Sequence, residues 1–266
     1  MGKYKLQFCG LYTNKIYYFE REKMWRYYYT IVRNIFRLPD AIKTMQDMIE
    51  LSKNRPDEYN EEAKYRYVQY IVDVMQKTGH IKTEVFGEKN LPKDGGYMMY
   101  PNHQGKYDVY GIISVHKQPC TFVMDIEKSN SIFIKQMVDI LDAKRLDKRN
   151  NRQAMNIINE VAKEVQDGKK CILFPEGIYD NKKKNSLIDF KAGCFKICLK
   201  SKVPIVPVVL IDSYKPYNSW EIGEIKTQVH YLKPIFFDEY KDMNTQQIAE
   251  LVKGRIANKI EEVLIG

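Results

Sequence analysis

The chain has 266 residues, with 43 lysines and arginines against 34 aspartates and glutamates, so its formal net charge is +9. Apolar residues make up 44% and charged residues 29%, a globular balance that excludes disordered, collagen-like and disulfide-scaffold proteins. The longest uncharged apolar run, residues 203–211, is nine residues long, whereas a membrane-spanning helix needs about 18.

The N-terminal part of the chain differs in composition and pattern from the rest. Its first 40 residues carry eight basic side chains against three acidic ones and are rich in aromatic residues. Apolar residues recur at helical spacing over residues 24–38 and 59–77, and residues 52–57 have the composition of a turn. We therefore predict two domains, a basic, aromatic helical hairpin over residues 1–80 and an α/β domain over residues 81–266.

The first predicted helix has two unlike faces. Arg26, Arg33 and Arg37 share one sector, and the opposite sector is apolar and aromatic. We expect this helix to lie on an anionic membrane surface, with the arginines among the headgroups and with Trp25 and Phe36 inserted. The alternative is that the apolar face packs on the rest of the protein and leaves the arginines exposed.

The expected location is peripheral, on the cytoplasmic face of a membrane. The N-terminus lacks the long apolar stretch of a secretory signal. The cysteines lack the spacing of a zinc site, so reduced core thiols are predicted for Cys9, Cys120, Cys171, Cys194 and Cys198. A positive net charge is also typical of nucleic-acid-binding proteins, but no recognition motif accompanies it, and no nucleic-acid partner is expected.

From residue 81 onward, short apolar runs alternate with helical patterns. Strands are predicted over residues 82–86, 97–100, 120–124, 171–174, 205–211 and 228–232. Helices are predicted over residues 107–116, 131–141, 151–166, 195–200 and 245–264. This alternation predicts an α/β fold, in which ligand sites lie beyond the carboxyl ends of the strands.

The segment NHQGKYD, residues 102–108, follows a predicted strand and precedes a predicted helix. It puts His103 at the end of the strand and Asp108 in the first turn of the helix, where the carboxylate is able to hold an imidazole nitrogen. A histidine oriented in this way is a good general base, because its free nitrogen faces the substrate and the acid stabilises the charged ring. Taken alone, the pair is also typical of a surface histidine beside a helix-capping aspartate.

Three further clusters lie next to predicted strands. LFPEG, residues 173–177, leads from an apolar strand into Glu176 and Gly177, and the glycine lets backbone approach a ligand. RLDKR, residues 145–149, precedes a helix, where cations are able to bind phosphate. Residues 202–210 carry two prolines in a strand-like run, which indicates an irregular or edge strand. A turn, a solvated charged loop and an ordinary edge strand are the alternatives.

Taken in order, these clusters resemble one family. NH-x4-D, a basic segment after a second strand, FPEG, F-K-x-G over residues 190–193 and V-P-I-V-P-V form the motif series of the glycerolipid acyltransferases, in particular the bacterial 1-acylglycerol-3-phosphate O-acyltransferases. The resemblance covers roughly residues 80–235. It implies a mixed sheet flanked by helices, beside the amphipathic hairpin. It also implies transfer of a fatty acyl group from a thioester to lysophosphatidic acid, which gives phosphatidic acid in phospholipid biosynthesis.

The resemblance implies roles for individual residues. His103 is the expected base, and Asp108 is its orienting partner. The residues expected to bind the acceptor are Glu176, Gly177, Lys148, Arg149, Lys191 and Gly193. The residues expected to bind the acyl chain are Val203, Pro204, Ile205, Val206 and Pro207. The family uses no metal, no cofactor is expected, and the donor is an acyl thioester of coenzyme A or of acyl carrier protein.

The sequence departs from the family pattern at the expected phosphate ligands. After Glu-Gly the family usually continues Thr-Arg-Ser, whereas residues 178–180 are Ile-Tyr-Asp, so the arginine is missing. Lys106, Lys182 and Lys184 are candidate replacements. The departure leaves two alternatives open: an acyltransferase for another lysophospholipid or an amine-bearing lipid, and a non-enzymatic lipid-binding module with a degenerate site.

Overall fold

The structure of the protein is a computed structural model that describes residues 25–130, 132–180 and 182–266. In chain order the helices are α1 (Trp25–Arg33), α2 (Leu38–Asn54), α3 (Glu61–Gly79), α4 (Asp108–Val115), α5 (Ile132–Ile140), α6 (Asn151–Gln166), α7 (Lys196–Ser201), α8 (Lys215–Asn218), α9 (Phe237–Tyr240) and α10 (Thr245–Ile265). The strands are β1 (Ile81–Phe86), β2 (Tyr97–Pro101), β3 (Thr121–Asp125), β4 (Lys144–Leu146), β5 (Lys170–Ile172), β6 (Ile205–Ile211) and β7 (Ile225–Tyr231).

The strands form one mixed sheet in the order β1-β7-β6-β2-β5-β3-β4. Strands β4, β3, β5, β2 and β6 run parallel to one another, β7 is antiparallel to β6, and β1 is parallel to β7. The mixed α/β fold that the sequence predicts is therefore confirmed. Because parallel strands end at the same edge, the chain leaves β5, β2 and β6 at neighbouring points in the middle of that edge.

Helices cover both faces of the sheet, so the central strands are apolar on both sides. In β2, Met98 and Tyr100 join the core with α6, α7 and α10, whereas Tyr97 and Met99 join the core with α2, α3, α4 and α5. All four side chains are fully buried. A strand buried on both faces is a continuous apolar run, which explains why YMMYP lacks alternation.

The predicted strands and helices of the α/β region are all present, and three short elements were missed. β4 has only three residues, two of them charged, so it lacks the apolar run that identifies a strand. Helices α8 and α9 have four residues each, too few to show helical periodicity.

The predicted N-terminal helices are present, together with one that the pattern did not reveal. α1 ends at Arg33, and α2 begins at Leu38 with Pro39 in its first turn. Proline is tolerated there because the first N–H groups of a helix have no intrahelical acceptor. The prediction of one helix over residues 24–38 is therefore wrong at its C-terminal end, where a turn separates α1 from α2. The domain division at residue 80 stays a prediction.

α1 packs its polar side against the protein and presents its apolar side outward. Arg26 is 2% exposed, and its guanidinium donates hydrogen bonds to the backbone carbonyls of Gly79 and Glu221. Thr30 is also buried, whereas Phe36, just after α1, is 92% exposed. The predicted membrane contact of Arg26 is wrong, because this side chain holds α1 against the end of α3. The alternative of an inward apolar face is wrong as well.

The outward side of α1 and the following turn form one exposed apolar surface. Its members, which we call the α1 apolar face, are Tyr28, Tyr29, Val32, Ile35 and Phe36. Arg33 and Arg37 are exposed beside it, as predicted, and Trp25 is partly buried. Among the described residues, no helix has the length and apolar character needed to cross a membrane.

Strand β6 is central, not the irregular or edge strand that its prolines indicated. It lies between β7 and β2. Pro204 precedes the strand, and Pro207 lies just before the antiparallel pairing with β7 begins at Val208. The missing N–H of Pro207 therefore falls at the end of a ladder, where its loss disrupts the sheet least.

The described cysteines are free thiols, as predicted. Cys120, Cys171 and Cys198 are buried, and Cys194 is partly buried. Burial raises the pKa of the Cys198 thiol to about 12, so this thiol stays protonated and unreactive. Cys9 lies outside the described residues.

Candidate active site

Loops that follow neighbouring parallel strands meet at one edge of the sheet. The loop after β2 carries His103, the loop after β5 carries Glu176, and the loop after β6 carries Ser213. Lys128 follows β3 and Lys148 follows β4, at the same edge and to one side. The topology therefore gathers the predicted motifs in one place.

His103 and Asp108 form the predicted pair. Nδ1 of His103 lies 2.7 Å from Oδ2 of Asp108. The Asp108 side chain, at the start of α4, is fully buried, whereas 18% of the His103 side chain is exposed. A buried carboxylate at Nδ1 fixes the ring so that Nε2 is left for a substrate. Within the described ranges, no protein group forms a hydrogen bond with Nε2.

Hydrogen-bond donors surround the Asp108 carboxylate. Oδ2 accepts from the backbone N–H groups of Gln104 and Gly105 as well as from the imidazole. Oδ1 accepts from the hydroxyl of Ser213 at 2.7 Å. These bonds fix the orientation of the carboxylate and, through it, of the imidazole. Sequence analysis missed Ser213, whose signal was its position two residues beyond a strand that ends at this edge.

Two aromatic side chains pack against the His103 ring. Phe174 stacks on it with ring centroids 4.2 Å apart, and Tyr179 meets it edge-on with centroids 4.8 Å apart. Both residues flank the Pro-Glu-Gly turn, so this turn and the NHQGKYD segment build a single site. The two contacts restrict rotation of the imidazole. Neither aromatic residue was among the predicted site residues.

Glu176 is 3% exposed, and its carboxylate binds backbone groups of the site. Oε1 accepts from the N–H of His103 at 2.9 Å, and Oε2 accepts from the N–H of Ile188 at 3.3 Å. Burial raises the pKa of Glu176 to about 7, against the effect of these two donors, which favour the ionised form. The geometry thus supports a positioning role for Glu176 at the His103 loop, and its predicted contact with the acceptor stays a prediction.

Gly177 and Lys191 are neighbours, as the order of the motifs predicts. Gly177 has a φ of +71°, and a Cβ there would lie 3.0 Å from Nζ of Lys191. The backbone N–H of Lys191 donates to the carbonyl of Pro175 at 2.8 Å. Gly193 lies in the exposed turn that follows. The Lys191 ammonium is therefore held beside the Pro-Glu-Gly turn.

The two predicted phosphate ligands after β4 have different surroundings. The ammonium of Lys148 lies 2.9 Å from the carboxylate of Asp125 and also donates to the carbonyl of Gly177. Arg149 is largely exposed and pairs with Glu127 at 2.7 Å. Both cations thus have carboxylate partners, and Lys148 is the one that contacts the Pro-Glu-Gly turn.

Two other lysines lie over aromatic rings. The ammonium of Lys128 is 4.9 Å from the ring centroid of Tyr179. The ammonium of Lys106, one of the candidate phosphate ligands, is 5.6 Å from the ring centroid of Tyr27 in α1. Lys128 therefore reaches the aromatic ring that touches His103, and Lys106 reaches the N-terminal helix.

The loop that follows the Pro-Glu-Gly turn is tied to the sheet edge by Asn185. The Asn185 side chain donates to the carboxylate of Asp212 at 3.0 Å and accepts from the side chain of Gln104 at 2.9 Å. Lys182 and Lys184, the other candidate replacements for the missing arginine, are exposed in this loop. The tie fixes the loop across the carboxyl ends of β2 and β6.

Most of the residues expected to bind the acyl chain are buried in the sheet. Val203, Ile205 and Val206 are at most 7% exposed, and Pro207 is buried in β6. Pro204, just before the strand, is partly exposed. These side chains pack in the core rather than along a groove, so their acyl-chain role stays a prediction.

The arrangement is suited to general-base catalysis at a substrate hydroxyl. Nε2 of a neutral His103 is able to accept a proton while the carboxylate at Nδ1 stabilises the charge that forms. The parts of the chain that the structure describes hold no group of three or more His, Cys, Asp or Glu residues arranged to bind a metal ion.

Comparison with known proteins identifies relatives for most of the chain. A sequence profile described as Acyltransferase matches residues 82–211. A 1-acyl-sn-glycerol-3-phosphate acyltransferase of Saccharomyces cerevisiae is 25% identical over 195 residues, which cover 71% of this chain and 63% of the yeast protein. A Mycoplasma genitalium protein named as a probable 1-acyl-sn-glycerol-3-phosphate acyltransferase is 25% identical over 218 residues, or 79% of each chain.

A solved structure shares the fold. The crystal structure of the 1-acyl-sn-glycerophosphate (LPA) acyltransferase PlsC from Thermotoga maritima aligns with a TM-score of 0.68 over 91% of this chain and 96% of that chain, at 18% identity. The profile match contains both His103 and Asp108 and the Pro-Glu-Gly turn. The resemblance inferred from the motifs is thus confirmed, since residues 82–211 of the chain match the acyltransferase domain.

Proposed function

We propose that the protein is an O-acyltransferase that moves a fatty acyl group from an acyl thioester to the free hydroxyl of lysophosphatidic acid and so forms phosphatidic acid. The His103–Asp108 pair carries this proposal, since its 2.7 Å contact leaves Nε2 directed to a substrate. The names of the yeast and Mycoplasma relatives support the choice of acceptor. The product is a precursor for phospholipid biosynthesis.

In the proposed reaction, Nε2 of His103 takes the proton of the acceptor hydroxyl as the hydroxyl oxygen attacks the thioester carbonyl. Asp108 holds the ring and stabilises the imidazolium that forms. The tetrahedral intermediate then collapses, the carbon–sulfur bond breaks, and the proton passes from His103 to the leaving thiolate. The products are an ester and a free thiol, and neither a metal ion nor a covalent acyl-enzyme takes part.

A second acceptor class is favoured by one observation, the tyrosine at position 179. Because the family usually has an arginine there, the acceptor headgroup site differs from that of typical relatives. Another lysophospholipid or an amine-bearing lipid is therefore the alternative acceptor. A lipid-binding module without turnover is the non-enzymatic alternative, and the intact pair of His103 and Asp108 argues against it.

The test is acyl transfer by the purified full chain in mixed micelles. Lysophosphatidic acid is offered with acyl-coenzyme A and, separately, with acyl-acyl carrier protein, and phosphatidic acid and free thiol are both quantified. Lysophosphatidylethanolamine, lysophosphatidylcholine and monoacylglycerol serve as competing acceptors. The proposal expects the highest kcat/KM for lysophosphatidic acid. A higher value for another acceptor favours the second acceptor class, and no transfer to any acceptor favours the lipid-binding module.

We further propose that the α1 apolar face rests on an anionic membrane surface at the cytoplasmic face. Val32, Ile35 and Phe36 are 63%, 49% and 92% exposed. Neighbouring apolar side chains that are exposed together often mark a surface that binds a membrane or another protein. Arg33 and Arg37 flank this face, and each basic residue near anionic lipid contributes about 1 kcal/mol. The proposed acceptor is a membrane lipid, so a lipid surface is also where it is delivered.

Vesicle flotation tests the membrane proposal. The triple variant Val32→Ser, Ile35→Ser, Phe36→Ser is expected to lose binding to vesicles of phosphatidylglycerol and phosphatidylcholine. Arg33→Glu with Arg37→Glu is expected to remove the salt-sensitive part of binding, since exposed charges are screened within about 8–10 Å at physiological ionic strength. Leu264→Ser with Ile265→Ser at the end of α10 removes similar exposed apolar area elsewhere and is the control. Unchanged flotation of the triple variant contradicts the proposal.

A further inference from the structure

The acceptor headgroup site differs from the family pattern in a way that the structure makes specific. Tyr179 occupies the position of the usual arginine, and its ring contacts both the His103 ring and the ammonium of Lys128. The ring centroids of Tyr179 and His103 are 4.8 Å apart, and Nζ of Lys128 is 4.9 Å from the Tyr179 centroid. Lys128, in the turn after β3, therefore places a positive charge next to Tyr179, the residue that stands where the family usually has an arginine.

The charge of Lys128 is available to a ligand in a way that the charges of Lys148 and Arg149 are not. Lys148 is 2.9 Å from Asp125, and Arg149 is 2.7 Å from Glu127. Lys128 is exposed, and among the described residues no carboxylate lies within ion-pair distance of it. Its ammonium is held over the ring of Tyr179. An anionic ligand at Lys128 therefore displaces no carboxylate of the described chain.

The distances fit an acceptor that carries a hydroxyl and a phosphate on adjacent carbons. Nζ of Lys128 lies within about 10 Å of the centre of the His103 ring, because both are close to the Tyr179 ring centroid. In lysophosphatidic acid, four bonds separate the hydroxyl oxygen from the phosphorus atom. With one hydrogen bond of about 3 Å at each end, a single molecule spans the two side chains.

We propose that Lys128, held on the ring of Tyr179, binds the phosphate monoester of the acceptor in place of the missing arginine. Lys191, whose ammonium lies beside Gly177, is a second cation at the Pro-Glu-Gly turn. The inference rests on the proposed function, because it assigns the phosphate of that reaction's acceptor. Its consequence is a preference for acceptors with a phosphate monoester over neutral acceptors.

The experiment compares lysophosphatidic acid with 1-monoacylglycerol, in which the 3-hydroxyl is free instead of phosphorylated, and it measures acylation of the 2-hydroxyl of each. For Lys128→Ala, the ratio of their kcat/KM values is expected to fall about 10-fold, through a higher KM for lysophosphatidic acid, which corresponds to about 1.4 kcal/mol. Lys128→Arg keeps the charge and the ring contact and is expected to restore most of the ratio. Lys200→Ala, in α7 at the opposite edge of the sheet, removes an equal exposed charge and is expected to leave the ratio unchanged.

The ring has its own test. Tyr179→Leu removes the aromatic surface under the ammonium and is expected to lower the ratio, whereas Tyr179→Phe keeps the ring and is expected to restore it. Wild-type turnover of lysophosphatidic acid with an unchanged ratio in Lys128→Ala overturns this inference and leaves the proposed function standing. Wild-type protein that does not acylate lysophosphatidic acid overturns both.

Discussion

Replacing Asp108 separates its chemical role from its structural one, because the two obvious substitutions differ in what they leave behind. In Asp108→Asn, the amide oxygen is able to accept from the same donors at Oδ2, the imidazole and the N–H groups of Gln104 and Gly105. The amide nitrogen then faces the Ser213 hydroxyl, which rotates to accept. The asparagine variant thus keeps the geometry and removes the charge.

The size of the charge effect follows from the 2.7 Å contact between Nδ1 and Oδ2. Two unit charges at that distance attract by about 6 kcal/mol at an effective dielectric constant of 20. If half of the positive charge has formed on the ring at the transition state, the loss is about 3 kcal/mol, or about 10²-fold in kcat. Asp108→Asn is therefore expected to lose about 10²-fold in kcat and to unfold at nearly the wild-type denaturant concentration.

Asp108→Ala is expected to behave differently. It leaves the N–H groups of Gln104 and Gly105 buried without an acceptor, and each such donor costs about 1–3 kcal/mol. Its free energy of unfolding is thus expected to fall by about 2–6 kcal/mol. Urea unfolding and steady-state acylation of lysophosphatidic acid are measured on both variants. Wild-type kcat in Asp108→Asn, or equal stability of the two variants, would refute the reasoning.

The remaining predictions concern positioning and stability. Burial raises the pKa of Glu176 to about 7, so its stabilising contribution is complete below the unfolded pKa near 4.5 and is lost as pH rises through 7. The unfolding free energy of wild type minus that of Glu176→Gln should therefore fall as pH rises from 4.5 to 8, by up to about 3 kcal/mol. A difference that stays constant over this pH range in urea titrations would contradict the prediction. Ser213→Ala should lower kcat about 5- to 10-fold at unchanged KM, with recovery in Ser213→Thr, and a change confined to KM would argue against a role through Asp108. Arg26→Ala should lower the unfolding free energy by about 2–4 kcal/mol, whereas the exposed Arg33→Ala should change it by less than about 0.5 kcal/mol, and equal effects would mean that Arg26 does not anchor α1.

The sequence was sufficient to predict the features that depend on local pattern. The apolar runs of β2, β5 and β6 are evident in the sequence. Their alternation with helices implies parallel strands, so the loops that follow them lie at one edge of the sheet. His103 and Asp108 are five residues apart, so the strand-to-helix junction alone brings them together. The turn at Gly177 is encoded by the residue that tolerates its positive φ.

The features that sequence analysis missed depend on contacts between distant segments. Ser213 and Asp108 are 105 residues apart in the chain. The sequence of neither loop indicates that the two side chains form a hydrogen bond. Lys128 and Tyr179 belong to the loops after β3 and β5, and their contact follows from a strand order that the sequence does not state.

The orientation of α1 could not be predicted from its sequence pattern, because it also depends on contacts with distant segments. Helical periodicity separates two faces but does not say which one meets the protein. Here the polar face packs inward, because Arg26 finds two backbone carbonyls, one of them at the end of α3. These hydrogen bonds allow Arg26 to be buried, although arginine side chains are usually exposed.

The most direct test of the account is the formation of phosphatidic acid by purified protein with and without the imidazole of His103. Wild-type protein, lysophosphatidic acid and an acyl thioester are expected to give phosphatidic acid and free thiol in equal amounts. His103→Ala is expected to lower this rate by about 10²–10⁴-fold, with the fold intact by circular dichroism, because a positioned base is lost. Phosphatidic acid formed by His103→Ala at the wild-type rate would contradict the central claim.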